Sequence, residues 1–146
     1  VEEMGEKQKM ASTDRDDTDI LAYYAEPPLV AVNLFHLRGG HIVDRREYFW
    51  VDQAEFDPSE FFTSLLIQLY LNEPYIPGTI HVPADFDDRE VMQELLSEKR
   101  GRKVEIHTPQ RGTKKQMLAL VESNAQHSFE QQRVADLGHA LNRSTV

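Results

Sequence analysis

The sequence has 146 residues, 40% of them hydrophobic, a net charge of −9 and no cysteine. That length suits one domain around a single core, and the lack of cysteine excludes a disulfide scaffold, a thiolate metal centre and a cysteine nucleophile, while suiting a reducing cytoplasm. No apolar run reaches the roughly eighteen residues that a membrane helix needs, so no membrane partner is expected.

Residues 1–18 (VEEMGEKQKMASTDRDDT) are charged and polar, without apolar period, and read as a linker rather than a signal peptide. Their lack of an initiator Met suggests a piece of a longer chain. Ile20 to Ala25 predicts a short first strand that Pro27 and Pro28 end. Leu29 to Leu37 (LVAVNLFHL), rich in branched and aromatic residues, predicts a second strand. Gly39–Gly40 is a two-residue hairpin signal, and His41 to Val51 returns as the third strand. The polar middle of that strand, Asp44 to Glu47, marks a wet face or a sheet edge.

Pro58 opens a helix with Asp57 as its N-cap. Phe61, Phe62, Leu65, Leu66, Leu69 and Tyr70 recur at helical spacing, and the helix ends near Asn72–Pro74. Gly78 to Val82 predicts a short buried strand stopped by Pro83. Asp85 or Asp87 caps a second helix that runs to Arg100, with Val91, Met92, Leu95 and Leu96 on its inner face, and Gly101 closes it. Lys103 to His107 is the last strand, and a long helix that carries Met117, Leu118, Leu120, Val121 and Ala125 runs from about Thr113 to Gln132. The order β-β-β-α-β-α-β-α, with two strand–helix–strand returns after a meander, demands a mixed α/β sheet. The strand order 3-2-1-4-5 places it in the ribonuclease H-like class.

Charge is unevenly spread. Residues 1–90 hold 7 Lys+Arg against 19 Asp+Glu, whereas residues 91–146 hold 9 against 6. Most of the surface therefore repels a phosphate backbone, and only the C-terminal third tolerates one. Within that third, Arg111, Gly112, Lys114 and Lys115 surround a predicted helix start. Free backbone N–H groups and the helix dipole make such a start electropositive. These four residues are the candidate DNA or interdomain contact, set against a solvated charged face.

A ribonuclease H nuclease needs carboxylates from the middle of its first strand, its first helix and the end of its fourth strand, converging on Mg²⁺ or Mn²⁺. The first strand offers Ala22, Tyr23 and Tyr24 at its centre, with Asp19 before it. Glu60 lies in a first helical turn, where the dipole alone favours an acid, and Asp85 reads as a helix cap. Asp19, Glu60 and Asp85 form the rival, nuclease reading, but the set is incomplete, so no catalytic residue, metal ligand or cofactor is assigned to this chain. His81 (IHVP) and His107 (IHTP) sit near the ends of neighbouring strands. Two histidines without a third ligand make a weak metal site, and hydrogen-bonded strand-end rings are the expectation. No G-x-S-x-G elbow or phosphate loop is present. Tyr23, Tyr24, Phe49 and Trp50 are potential docking aromatics if exposed, and core residues otherwise.

The segments DTDILAYY, VNLFHLRGGHIVDRREYFW, FFTSLLIQLY and the run from IHVPADF through PQRGTKK to VESNA resemble, in register, the central region of the UvrC family. That family is the incision subunit of bacterial nucleotide excision DNA repair. The F-x-x-R-x-G pattern is characteristic of it, the P-x-R-G and closing N-A patterns are its most specific marks, and QKM at Gln8–Met10 resembles the end of its UvrB-interaction hairpin region. The resemblance implies a modular protein with a GIY-YIG nuclease before this region and a metal-dependent ribonuclease H-like nuclease and helix-hairpin-helix motifs after it. Nothing matches the family's Asp-Asp-His incision triad or its I-E-x-[FY]-D-I-S strand. The resemblance thus implies a linker over residues 1–18, a catalytically inactive ribonuclease H-like domain over 19–132, and a helical extension or linker over 133–146. It implies other UvrC domains as partners, with UvrB and damaged DNA as partners of the full-length protein. DNA binding by this chain alone is expected to be weak.

Overall fold

The structure, a computed structural model, describes residues 17–144. Five strands and three helices follow in the expected order: β1 (Thr18–Glu26), β2 (Leu29–Arg38), β3 (His41–Trp50), α1 (Pro58–Tyr70), β4 (Thr79–His81), α2 (Arg89–Arg100), β5 (Glu105–His107) and α3 (Gly112–Ser144). They form one mixed sheet in the order β3-β2-β1-β4-β5. β1, β2 and β3 pair antiparallel, with a bulge between His36 and Leu37, and β4 and β5 add in parallel to β1. Residues 1–16 of the expected linker lie outside the described residues. Thr18, assigned to that linker, instead begins β1.

Alternation along the strands sends side chains to two separate cores. On one face Leu21, Val30, Val32, Leu34, Ile80 and Ile106 meet Phe61, Phe62, Leu65 and Leu66 of α1 and Met92 and Leu96 of α2. On the other, Ile20, Ala22 and Phe35 meet Leu118 and Val121 of α3. The sheet is therefore covered by α1 and α2 on one side and by α3 on the other. α3 packs chiefly across β1 and β2, and Asn33 Nδ2 ties it down by donating to Ser128 Oγ at 3.1 Å.

α1 starts as expected, with Asp57 Oδ2 accepting from the Glu60 backbone N–H at 3.3 Å. α2 differs in two respects. Asp88 occupies its N-cap position without a side-chain cap bond, while Asp85 accepts from Phe86 N and from Arg89 Nε. Its buried residues are Met92 and Leu96 alone, with Val91 63% exposed. Two apolar pairs at i, i+4 lie about 100° apart on this helix, and only one can face the sheet. Leu120 of α3 is likewise exposed, because its neighbours Leu118 and Val121 define the inner face. The aromatics are packed rather than free: Tyr23 lies against Phe56 and Phe62, Trp50 against Phe61, and Tyr24 and Phe49 against Phe129.

Candidate functional site

The parallel half of the sheet and the start of α3 meet at one place. His81 ends β4 and His107 ends β5, paired in register, so both rings project to the α3 side. The ring centroids are 4.6 Å apart in an edge-to-face arrangement. The expected proximity of the two histidines is therefore present. The expected hydrogen bonds are not: both ring nitrogens of His81 lack a partner among the described residues, although the side chain is only 3% exposed. Burial first, then the neighbouring His107 and Lys114, lowers its pKa to about 4. His81 is thus a neutral, desolvated imidazole.

The chain turns into α3 through Gly112 at φ 78°. An added Cβ there would meet nothing within 4 Å, so the glycine answers to backbone conformation and not to crowding. This turn starts a 33-residue helix whose first residues line a cavity with β4 and β5. Arg111, Lys114 and Lys115 are all exposed around it, and no ion pair within the described residues engages them. Lys114 differs from the other two in lining a cavity of about 340 Å³, together with Thr113, Met117, His81 and His107. Spacing alone did not distinguish Lys114 from Lys115, and the histidines came from strands remote in sequence.

The rival carboxylates are not gathered. Asp19 is the second residue of β1, not a residue before it, and is 1% exposed on the opposite, α1 side of the sheet. Its oxygens accept from Tyr70 Oη at 2.5 Å and Arg38 at 3.2 Å, and contact His36 Nδ1 at 2.8 Å. Glu60 lines a separate groove with Trp50 and Asp57, and Asp85 is paired with Arg89 at 2.8 Å. Among the described residues no three His, Asp or Glu side chains are grouped so as to hold a metal ion. The middle of β1 is Leu21, Ala22 and Tyr23, and β4 closes on His81, followed by Val82.

This sheet order, with α1 and α2 on one face and α3 on the other, defines a ribonuclease H-like domain. It is similar to the crystal structure of ribonuclease H2 from Pyrococcus horikoshii OT3, with a TM-score of 0.59 over 84% of this chain and 76% of that one, at 7% identity. Residues 17–132 match the UvrC Ribonuclease H-like domain family, and the chain belongs to that family. It is 62% identical over 130 residues to the UvrABC system protein C of Solibacter usitatus and 45% identical over 137 residues to that of Koribacter versatilis. These alignments cover 89% and 90% of this chain but 21% and 22% of the two relatives, so the chain spans about a fifth of their length. Among the described residues no helix is long and apolar enough to cross a membrane.

Proposed function

We propose that this chain is a non-catalytic platform domain of the UvrC subunit of the UvrABC excinuclease, acting in nucleotide excision DNA repair in the cytoplasm. It organises the 3′ and 5′ nuclease domains of the full-length protein, which itself works with UvrB and damaged DNA. Its own contact to DNA or to a neighbouring domain runs through Arg111, Lys114 and Lys115 at the Gly112 turn. One observation carries the reading: where a ribonuclease H nuclease requires converging carboxylates, β1 holds Leu21, Ala22 and Tyr23, and the single acid of that strand's described interior, Asp19, is turned away into a hydrogen-bonded network. No cofactor is assigned to the chain, and Mg²⁺ or Mn²⁺ belongs to nuclease domains outside it.

The test is incision of a nicked or lesion-bearing duplex by the purified chain with Mg²⁺ or Mn²⁺. The expected result is no product above that of an Asp19→Asn, Glu60→Gln, Asp85→Asn triple variant. Metal-dependent cutting that disappears in the variant would overturn the platform reading and restore the nuclease one.

A further inference from the structure

The cavity at the head of α3 has a chemistry that a solvated charged turn does not need. Its strand-side wall is built from residues that share one face of the sheet: Ile20 of β1, Leu37 of β2, His81 of β4 and His107 of β5. Its other wall is the first turn of α3, with Thr113, Lys114 and Met117. A buried imidazole with two unmade hydrogen bonds is costly unless something fills them, and His81 is such a group, lining the cavity itself. The α3 N-terminus supplies unpaired backbone N–H donors and about half a positive charge, and Lys114 adds a full one. Thr113, Lys114 and His81 line the same cavity, and donors of this kind suit an anion. The remaining lining is of a different kind, since Leu37 and Met117, with the buried Ile20 behind them, offer an apolar floor. At about 340 Å³ the cavity exceeds what one small anion fills. Glu105 also lines the cavity, and its carboxylate is paired with Lys103 at 3.2 Å, which offsets its charge.

We propose that this cavity binds one phosphate group carried on a nucleotide, with the phosphate at the Thr113–Lys114 helix head, His81 hydrogen-bonded to the ligand, and the nucleoside against Leu37 and Met117. The inference rests on reading the Gly112 turn as a phosphate-contacting surface, and deepens it by separating Lys114, which lines the cavity, from Arg111 and Lys115, which do not. A net-acidic domain is poorly suited to grip a long phosphate backbone, but a single recessed phosphate meets only its local field. The phosphate can be that of a free nucleotide or the end of a strand.

The experiment is a two-dimensional NMR titration of the full chain, following the His81 ring and the Thr113 and Lys114 amides. The ligands are deoxyadenosine 5′-monophosphate, deoxyadenosine, inorganic phosphate, and a short single strand with and without a 5′-phosphate. The expected result is saturable shifts at those three residues with the monophosphate or the 5′-phosphorylated strand. Both deoxyadenosine and inorganic phosphate are expected to bind at least ten-fold more weakly. The stronger of the two phosphorylated ligands identifies the source. His81→Leu is expected to weaken binding at least ten-fold. Should that variant fail to fold, Lys114→Ala, an exposed substitution, carries the same expectation. Absence of shifts with every ligand, or equal affinity for deoxyadenosine or for inorganic phosphate, overturns the proposal. The double variant Arg111→Ala, Lys115→Ala separates the two readings. Its loss of duplex binding with an unchanged nucleotide site leaves both standing. Loss of duplex binding in a chain whose cavity takes no nucleotide removes the cavity alone.

Discussion

The phenol of Tyr70, at the end of α1, donates to the buried carboxylate of Asp19, near the start of β1, at 2.5 Å. Burial, followed by the Asp19 charge and this hydrogen bond, holds the phenol pKa well above its ordinary value, so the proton stays on Tyr70. Arg38 completes the arrangement from β2, bonding Asp19 at 3.2 Å while its guanidinium lies 5.1 Å from the centre of the Tyr75 ring. One carboxylate thus fastens β1, β2 and the end of α1. Tyr70→Phe leaves Asp19 with its other partners and is expected to cost about 1–2 kcal/mol. Asp19→Ala leaves the buried Tyr70 hydroxyl without its acceptor, while Arg38 keeps Leu37 O and Asp17, and is expected to cost about 1–3 kcal/mol. Denaturant unfolding measures both, and an Asp19→Ala protein as stable as the parent would refute the fastening role.

The pH dependence of stability has a definite sign at His81. Its folded pKa of about 4 lies below the ordinary histidine value of 6.5, so the unfolded state binds the proton more readily. The neutral ring's contribution is fully present above pH 6.5 and is lost as the pH falls toward 4, amounting to roughly 2–3 kcal/mol over that window. Unfolding curves at successive pH values for the parent and His81→Leu measure the difference. The variant is expected to lack this component, and parallel profiles would count against a buried neutral imidazole facing His107, Lys114 and Glu105.

Gly112 sits at φ 78° in open space. Gly112→Ala is expected to cost about 1–2 kcal/mol, the penalty of a left-handed residue with a Cβ. It is also expected to shift the amide signals of Thr113 and Lys114 more than those of Val121. Equal stability with an undisturbed helix head would show that the turn does not depend on glycine.

The basic turn makes a salt-dependent prediction. Arg111→Ala, Lys114→Ala and Lys115→Ala together are expected to weaken the low-salt DNA binding expected of the chain. They should lower the slope of log affinity against log salt by about 2–3, close to one for each phosphate that a side chain no longer neutralises. Fluorescence anisotropy in a salt series reads this, and an unaltered slope would remove the turn as a DNA-binding element.

On α2, Leu96→Ala is expected to cost about 2–5 kcal/mol, whereas Val91→Ala stays within about 0.5 kcal/mol. The contrast matters because the sequence pattern treated both as internal. Strand identities, the Gly39–Gly40 hairpin, the Asp57 cap and the sheet order were legible, since alternation, turn glycines and proline stops act locally. The facing of α2 was not, because Val91/Leu95 and Met92/Leu96 satisfy the same period and only the position of the sheet chooses between them. Asp19 was misplaced for a related reason. A carboxylate at a strand start looks solvated until Arg38, His36 and Tyr70 arrive from elsewhere in the chain. At the candidate site, the nearness of His81 and His107 followed from parallel topology, but the missing partners of His81 did not. Hydrogen-bond satisfaction depends on every neighbour, including the first turn of a helix that begins thirty-one positions later.

The two borders of the sheet are unlike in length and alike in effect. β5 is three residues long, too short to template another strand. β3 is ten residues long and, among the described residues, unpaired along one side, but Asp44, Arg45, Arg46 and Glu47 occupy its centre, and its pairing with β2 is interrupted by a bulge. Brevity guards one border, and charge with irregular register guards the other. Copies of this domain crowded together are therefore protected against zipping into a continuous cross-chain sheet, and replacing the four central charges of β3 by Thr and Val would create an aggregation seam along that border.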